Sequence, residues 1–303
     1  TREAGVSALE THGTPLPQAT IDSIRETRVA LKGPLTTPVG SGFRSVNVAI
    51  RQEFDLYANV RPTVAWAGLP TFWPDLKLTV IRENTEGLYT GLEHYVGRDR
   101  YAAEAILVIT RPGMERIFRY AFAHARQAGA RKVTAVHKAN ILKLTSGMFL
   151  EIARDTARDY PEIAFTDRII DNMCLQLVRE PRQFEVIVTT NMFGDILSDL
   201  VAGLAGGLGL APSANIGVGA AVFEAVHGSA PDIAGQGKAN PTALLLSACQ
   251  MLDHLGERTA ADRIRAALTD IFKTRDRLTG DLAPEKPSST REFTRAICER
   301  LAG

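Results

Sequence analysis

The chain alternates short β-branched apolar runs with amphipathic stretches, and this alternation restricts its fold more than any other feature. "LKLTVI" (76–81), "RKVTAV" (131–136) and "FEVIVTT" (184–190) read as strands. Between the first two, "GMERIFRYAFAHARQAG" places Met114, Ile117, Phe118, Ala121, Phe122 and Ala125 at helical spacing, and Gly129 offers a C-terminal stop. Strand followed by helix followed by strand predicts an α/β fold with a largely parallel sheet. "NPTALLLSACQMLDHLG" (240–256), "TAADRIRAALTDIF" and "TREFTRAICERL" read as further helices. Gly and Pro gather at 33–42, 206–219 and 228–241, where loops are expected.

A length of 303 residues suggests about two domains. With 35 Lys+Arg against 34 Asp+Glu, no overall field favours nucleic acid or an anionic membrane, so any anion binding has to come from a local cluster. Cys174, Cys249 and Cys298 show no metal-ligand spacing and fit a reducing compartment. No run approaches the roughly 18 apolar residues of a membrane span. The segment "TREAGVSALE" has neither a basic stretch nor an apolar core, so no targeting signal is read there.

"GGLGLAPSANIG" is glycine-rich, but it follows a helical stretch and lacks the G-x-G-x-x-G spacing of a dinucleotide turn. Tight turns and close packing explain it better. Just before it, "NMFGDILSDL" places Asp195 and Asp199 four apart on a helix expected to start near Gly194, with Ile196, Leu197, Leu200, Val201 and Leu204 toward the core. Aligned carboxylates suit a hard divalent cation. They equally suit a solvated pair, or a carboxylate favoured by the helix N-terminus.

In "SVNVAIRQEFDLYANVRP" (45–62), Val46, Ile50 and Phe54 share one face, and Asn47 and Arg51 share a neighbouring one. Arg61 follows, and Arg82 stands where a strand ends. Three arginines from three segments can bind carboxylates bidentately, although each alone is an ordinary surface charge. Lys138 and Asn140 follow a strand directly, and a lysine in such a place can act as a base.

Taken together, "KGPLTTPVGSGFRSVNVAIRQEFDLYANVRP", "IRENTEGLY", "AVHKANI", "NMFGDILSDL" and "FEAVHGSAPDIAGQGKANPTA" resemble the β-decarboxylating dehydrogenases of the isocitrate/isopropylmalate dehydrogenase family, most closely the NAD-dependent isocitrate type. The resemblance runs over nearly the whole chain. It implies the family's own αβα sandwich, not a Rossmann fold, with a large domain from 1–56 and 206–303. A smaller central domain would span 57–205 and carry the dimer interface and a clasp at about 87–110. It also implies a homodimer whose active sites are shared between subunits.

The reaction implied is oxidative decarboxylation of isocitrate, a step of the tricarboxylic acid cycle, with NAD and Mg²⁺ or Mn²⁺. By matching position, Asp195 and Asp199 would hold the metal, with Asp171 from the partner subunit. Arg51, Arg61 and Arg82 would bind substrate carboxylates. Ser45 and Asn47 would hold the carboxylate that distinguishes isocitrate, and Asn140 would touch substrate or nicotinamide. Lys138 would serve the base that deprotonates the C2 hydroxyl, and Tyr89 would protonate C3. His227, Gly228, Ala230 and Asn240 match cofactor contacts, with Glu224 and Thr37 nearer the nicotinamide ribose. Asp232 and Ile233 stand where NADP-preferring relatives resemble this loop with Lys and Tyr, which implies NAD, because a carboxylate repels a 2′-phosphate.

Homoisocitrate or isopropylmalate dehydrogenase, and a regulatory subunit of a hetero-oligomeric isocitrate dehydrogenase, are the alternative readings. The expected location is the cytoplasm, or the mitochondrial matrix in a eukaryote, with no nucleic acid or membrane as partner. Relatives carry a strand and a Gly-Asp-Gly-Ile-Gly loop ahead of the segment resembling "AGVSALETHGTPLP". A sheet without them is expected to lack a central strand and part of the cofactor site. "DLAPEKPSSTREFT" departs from the family's usual Asp-Leu-Gly-Gly turn.

Overall fold

The computed structural model describes residues 1–36 and 45–302. In chain order the elements are α1 (Val6–His12), α2 (Gln18–Thr27), β1 (Val29–Lys32), α3 (Val46–Glu53), β2 (Ala58–Val64), β3 (Lys77–Glu83), β4 (Glu93–Val96) and β5 (Ala102–Ala105). They continue with α4 (Arg111–Gln127), β6 (Lys132–His137), α5 (Thr145–Ala157), β7 (Ala164–Ile169), α6 (Ile170–Arg179), β8 (Val186–Thr189) and α7 (Asn191–Leu204). The last are β9 (Pro212–Ile216), β10 (Ala221–Ala225), α8 (Thr242–His254), α9 (Arg258–Thr274) and α10 (Thr290–Ala302).

Among the described residues the main sheet has eight strands in the order β1-β10-β9-β2-β3-β8-β6-β7. β3, β8, β6 and β7 run parallel, and β2 and β9 pair antiparallel with their neighbours. β1 pairs directly with β10, from Val29↔Ala221 to Lys32↔Glu224, and no gap interrupts the order. The β2–β9 pairing makes one sheet of segments expected in separate domains.

The strands alternate between two helical layers, as a sheet covered on both faces must. Ile81, Val133, Ala135, Val186 and Val188 face α4 and α5, where Phe118, Phe122 and Phe149 fill the space. Leu78, Val80, Val136 and Ile187 face α6 and α7. A separate core joins α8, α9 and α10 through Leu268, Phe272, Phe293 and Ile297. Helix α4 forms as its spacing predicts. Thr110 caps it by accepting from the Gly113 N–H at 3.1 Å, and Gly129, at φ 70°, lies just past its end.

Three local expectations need correction. α7 starts at Asn191, not near Gly194, because extended Thr190 already serves as its N-cap. Ile196 is 54% exposed, while Leu197, Val201 and Leu204 are buried. It lies one residue from Asp195 on the turn that faces away from the sheet. The loop expected over 206–219 contains β9, whose residues gain sheet partners on both edges. Among the described residues no helix is long and apolar enough to cross a membrane.

Candidate functional site

The parallel strands deliver their C-terminal ends to one edge of the sheet, where open α/β sheets bind ligands. Arg82, next to last in β3, lies there 1% exposed, and its guanidinium grips two groups of α7. Its Nε and Nη2 donate to Asn191 Oδ1 at 3.0 and 2.7 Å, and its Nη1 binds the Asp195 carboxylate. The approach of α7 depends on Gly194, since a Cβ there would lie 2.6 Å from the Arg82 side chain. Asp195 also accepts from the Tyr89 hydroxyl at 2.7 Å and from Arg61 Nη2 at 3.4 Å. Arg61 reaches Asp199 at 3.4 Å, and Ser198 and Asn59 hold it in place at 2.5 and 2.6 Å.

The electrostatics follow from crowding. Burial lowers the proton affinity of Arg82, and Arg61 and Arg51 nearby lower it further, to a pKa of about 10. Arg61 is shifted in the same direction, first by burial. Burial alone would raise the Asp195 carboxyl, but Arg82, Arg61 and the Tyr89 hydrogen bond hold it below its ordinary value. Asp199 goes the other way, raised by burial and by the Asp195 charge against the pull of Arg61. Burial and the hydrogen bond to Asp195 keep the Tyr89 phenol protonated beyond its usual range.

Beside this cluster lies a small cavity of about 100 Å³ lined by Asn47, Arg51, Arg61, Glu224, His227 and Gly228, among others. Ser45 caps α3 by accepting from the Val48 N–H at 3.5 Å, and it thereby orients Asn47 and Arg51. Among the described residues, Asn47 Oδ1 and Arg51 Nε are buried without a hydrogen-bond partner. Native interiors rarely leave such atoms orphaned unless a ligand or water meets them. Glu224 forms the floor. It binds Lys32 at 2.6 Å, Arg51 at 3.3 Å and Asn215 at 2.8 Å. Its burial favours the neutral acid, but Lys32 and Arg51 override that and hold it at about 2.

The cavity shares Pro34, His227 and Gly228 with a groove of about 1120 Å³. Ala230, Ile233 and Asn240 line this groove as well. Asp232 lies between lining residues in a short 3₁₀ turn, and its backbone carbonyl accepts from Gln236 at 2.7 Å. The divergent turn at 279–290 has a physical role here. Asp281 accepts from Asn240 at 2.9 Å, and Ser288, Ser289 and Thr290 join the groove wall. Thr37 lies outside the described residues.

Lys138 and Asp171 bind each other, and Asn140 stands exposed beside them in the turn after β6. Among the described residues neither Lys138 nor Asp171 bonds to the Arg61–Arg82–Asp195 cluster. Asp195 and Asp199 form an all-oxygen pair that fits a hard divalent cation completed by substrate and water. Among the described residues of this chain no group of three His, Cys, Asp or Glu is placed to hold a metal. Sequence reasoning missed Asn191, Ser198, Asn59 and Lys32. The sheet-edge position of Asn191, directly after a strand, was the signal available for it.

A family profile described as "Isocitrate/isopropylmalate dehydrogenase" matches residues 1–297. The crystal structure of isocitrate dehydrogenase from Methylococcus capsulatus is 56% identical, with a TM-score of 0.98 over 100% of this chain and 90% of that one. The probable mitochondrial NAD isocitrate dehydrogenase subunit alpha of Drosophila melanogaster is 49% identical over 94% of this chain and 75% of its own length. A chloroplastic 3-isopropylmalate dehydrogenase of Solanum tuberosum is 52% identical over 82% of this chain and 69% of its own.

Proposed function

The chain belongs to the isocitrate/isopropylmalate dehydrogenase family, and from that premise we propose that it oxidatively decarboxylates isocitrate to 2-oxoglutarate and CO₂ with NAD and a divalent cation. The observation that carries this reading is the group of Arg51, Arg61 and Arg82, largely buried and mutually repulsive, beside a cavity with orphaned Asn47 and Arg51 atoms. These guanidiniums already share Asp195, Asp199 and Glu224, and a tricarboxylate adds further acceptors for their remaining N–H groups through bidentate hydrogen bonds. Ser45 and Asn47, at the start of α3, meet the carboxylate that isopropylmalate does not have.

Asp195 and Asp199, with the partner subunit's Asp171, would hold Mg²⁺ or Mn²⁺, which when bound polarises the C2 oxygen and stabilises negative charge on it. The His227–Gly228–Ala230 loop and Asn240 would hold the dinucleotide so that its nicotinamide end meets the small cavity. The arginines fix C2 and C3 in place. The partner subunit's Lys138 takes the C2 hydroxyl proton. Tyr89, kept as a phenol by burial and by Asp195, delivers a proton to C3 after CO₂ leaves.

A homodimer supports the division of labour. The β4–β5 hairpin stands apart from the main sheet, with Tyr95 and Leu92 more than half exposed. An isolated two-stranded hairpin is at best marginally stable, so a second copy of the clasp is its natural cover. Leu175, Val178 and Ile196 on α6 and α7 form a second exposed apolar set. NADH formation with isocitrate, homoisocitrate or isopropylmalate, each with Mn²⁺, tests the reading. Isocitrate is expected to give the highest kcat/KM, and preference for isopropylmalate would reject it. Asp232→Lys combined with Ile233→Tyr is expected to move cofactor preference toward NADP.

A further inference from the structure

The opposite face of the sheet, behind the arginine cluster, carries a second cavity. Along β2, β9 and β10 side chains alternate, so Arg61, Ser213 and Glu224 point to the site described above. Val60, Ala214 and Phe223 point the other way and floor a cavity of about 570 Å³. α4 walls it on one side, and α8 with the start of α9 on the other. It shares no lining residue with the dinucleotide groove.

The floor is apolar, but the walls are not. On α4, His124 stacks on Tyr120 with ring centroids 6.2 Å apart, and on α8, His254 lies 5.6 Å from Phe223. Burial holds the His124 imidazole below its ordinary pKa, so this wall presents a neutral ring. Among the described residues, Gln250 Oε1 is buried without a hydrogen-bond partner. Asp253 and Arg265 neutralise each other, with Asp262 3.0 Å from the same guanidinium. Arg258 has no ion pair or hydrogen bond among the described residues, and Asp253 and Asp262 both turn to Arg265, so the Arg258 guanidinium is open to a ligand at the rim. A pocket of this size with an apolar floor and a few unpartnered polar groups is the usual form of a small-molecule site. A buried amide oxygen left unpaired is costly, so a ligand donor that reaches it gains affinity.

We propose that this cavity binds a small planar aromatic anion. The ring lies on the Val60–Ala214–Phe223 floor between the two imidazoles, an N–H of the ligand donates to Gln250 Oε1, and the anionic group meets Arg258. The probe 8-anilinonaphthalene-1-sulfonate combines an aromatic body, an N–H and an anion, and its fluorescence titration on the full chain tests the proposal without any turnover. Saturable binding is expected, weakened about tenfold by Arg258→Ala and roughly fivefold by Gln250→Leu. Lys238→Ala, which removes a cation from the dinucleotide groove, should leave the affinity unchanged. Arg258 is exposed at the first turn of α9, so its replacement is not expected to affect folding. Absence of saturable binding, an affinity unmoved by Arg258→Ala, or an equal loss in Lys238→Ala would each overturn the assignment.

Discussion

Two charged pairs stand at the same edge of the sheet in opposite surroundings. Arg82–Asp195 lies under α7, with the arginine 1% exposed and the carboxylate further bonded by Tyr89 and Arg61. Lys138–Asp171 has side chains 28% and 69% exposed. Register places their strands close together, since Arg82 and Val136 both align with Thr189 of β8. The difference shows how differently one sheet edge holds two ion pairs. One is completed by its own packing and is costly to disturb. The other is presented outward, where an ion pair contributes little to stability.

That contrast can be broken experimentally. Arg82→Met removes the cation from a buried network, and we expect a loss of about 3–5 kcal/mol in urea unfolding together with loss of turnover. Unchanged stability would mean that the two pairs do not differ as described. Lys138→Met should do the reverse, lowering kcat by about 10²–10⁴-fold while shifting Tm by less than about 2 °C. Because Lys138 and Tyr89 would come from different subunits, re-assembling inactive Lys138→Met with inactive Tyr89→Phe chains should restore about one quarter of wild-type activity. No recovery would count against a shared site.

Glu224 sharpens the comparison, being buried against both Lys32 and Arg51. Its pKa of about 2 in the folded state lies below the ordinary 4.5. Its stabilisation is therefore complete above about pH 4.5 and disappears as pH falls toward 2. Glu224→Gln should cost about 3 kcal/mol at pH 7, and the difference from wild type should shrink between pH 4.5 and 3 in chemical denaturation. A difference constant across that range would show that Glu224 is not held as a carboxylate by its neighbours.

Much of the local structure was legible in the residues. The apolar spacing from Met114 to Ala125 predicts α4, and Asn47–Arg51 and Asp195–Asp199 at four-residue intervals place their pairs on helix faces. These signals are local because helical and strand periods act within a few residues. Ile196 shows their limit, since a pattern of apolar positions does not tell which of them a neighbouring element will cover. β9 shows another. A run of Pro, Ser and Asn reads as a loop until two strands supply its hydrogen bonds.

By itself, then, the sequence determined the alternating α/β order, the helix faces and the identity of the charged groups, because short-range sterics and hydrophobic periodicity suffice for these. Tertiary structure alone decided that Asn191 and Ser198 clamp the arginines, that Tyr89 meets Asp195, and that Lys138 turns away to Asp171. Each of those contacts joins residues from separate elements, and their geometry is set by how helices pack on a twisted sheet, which no local pattern encodes.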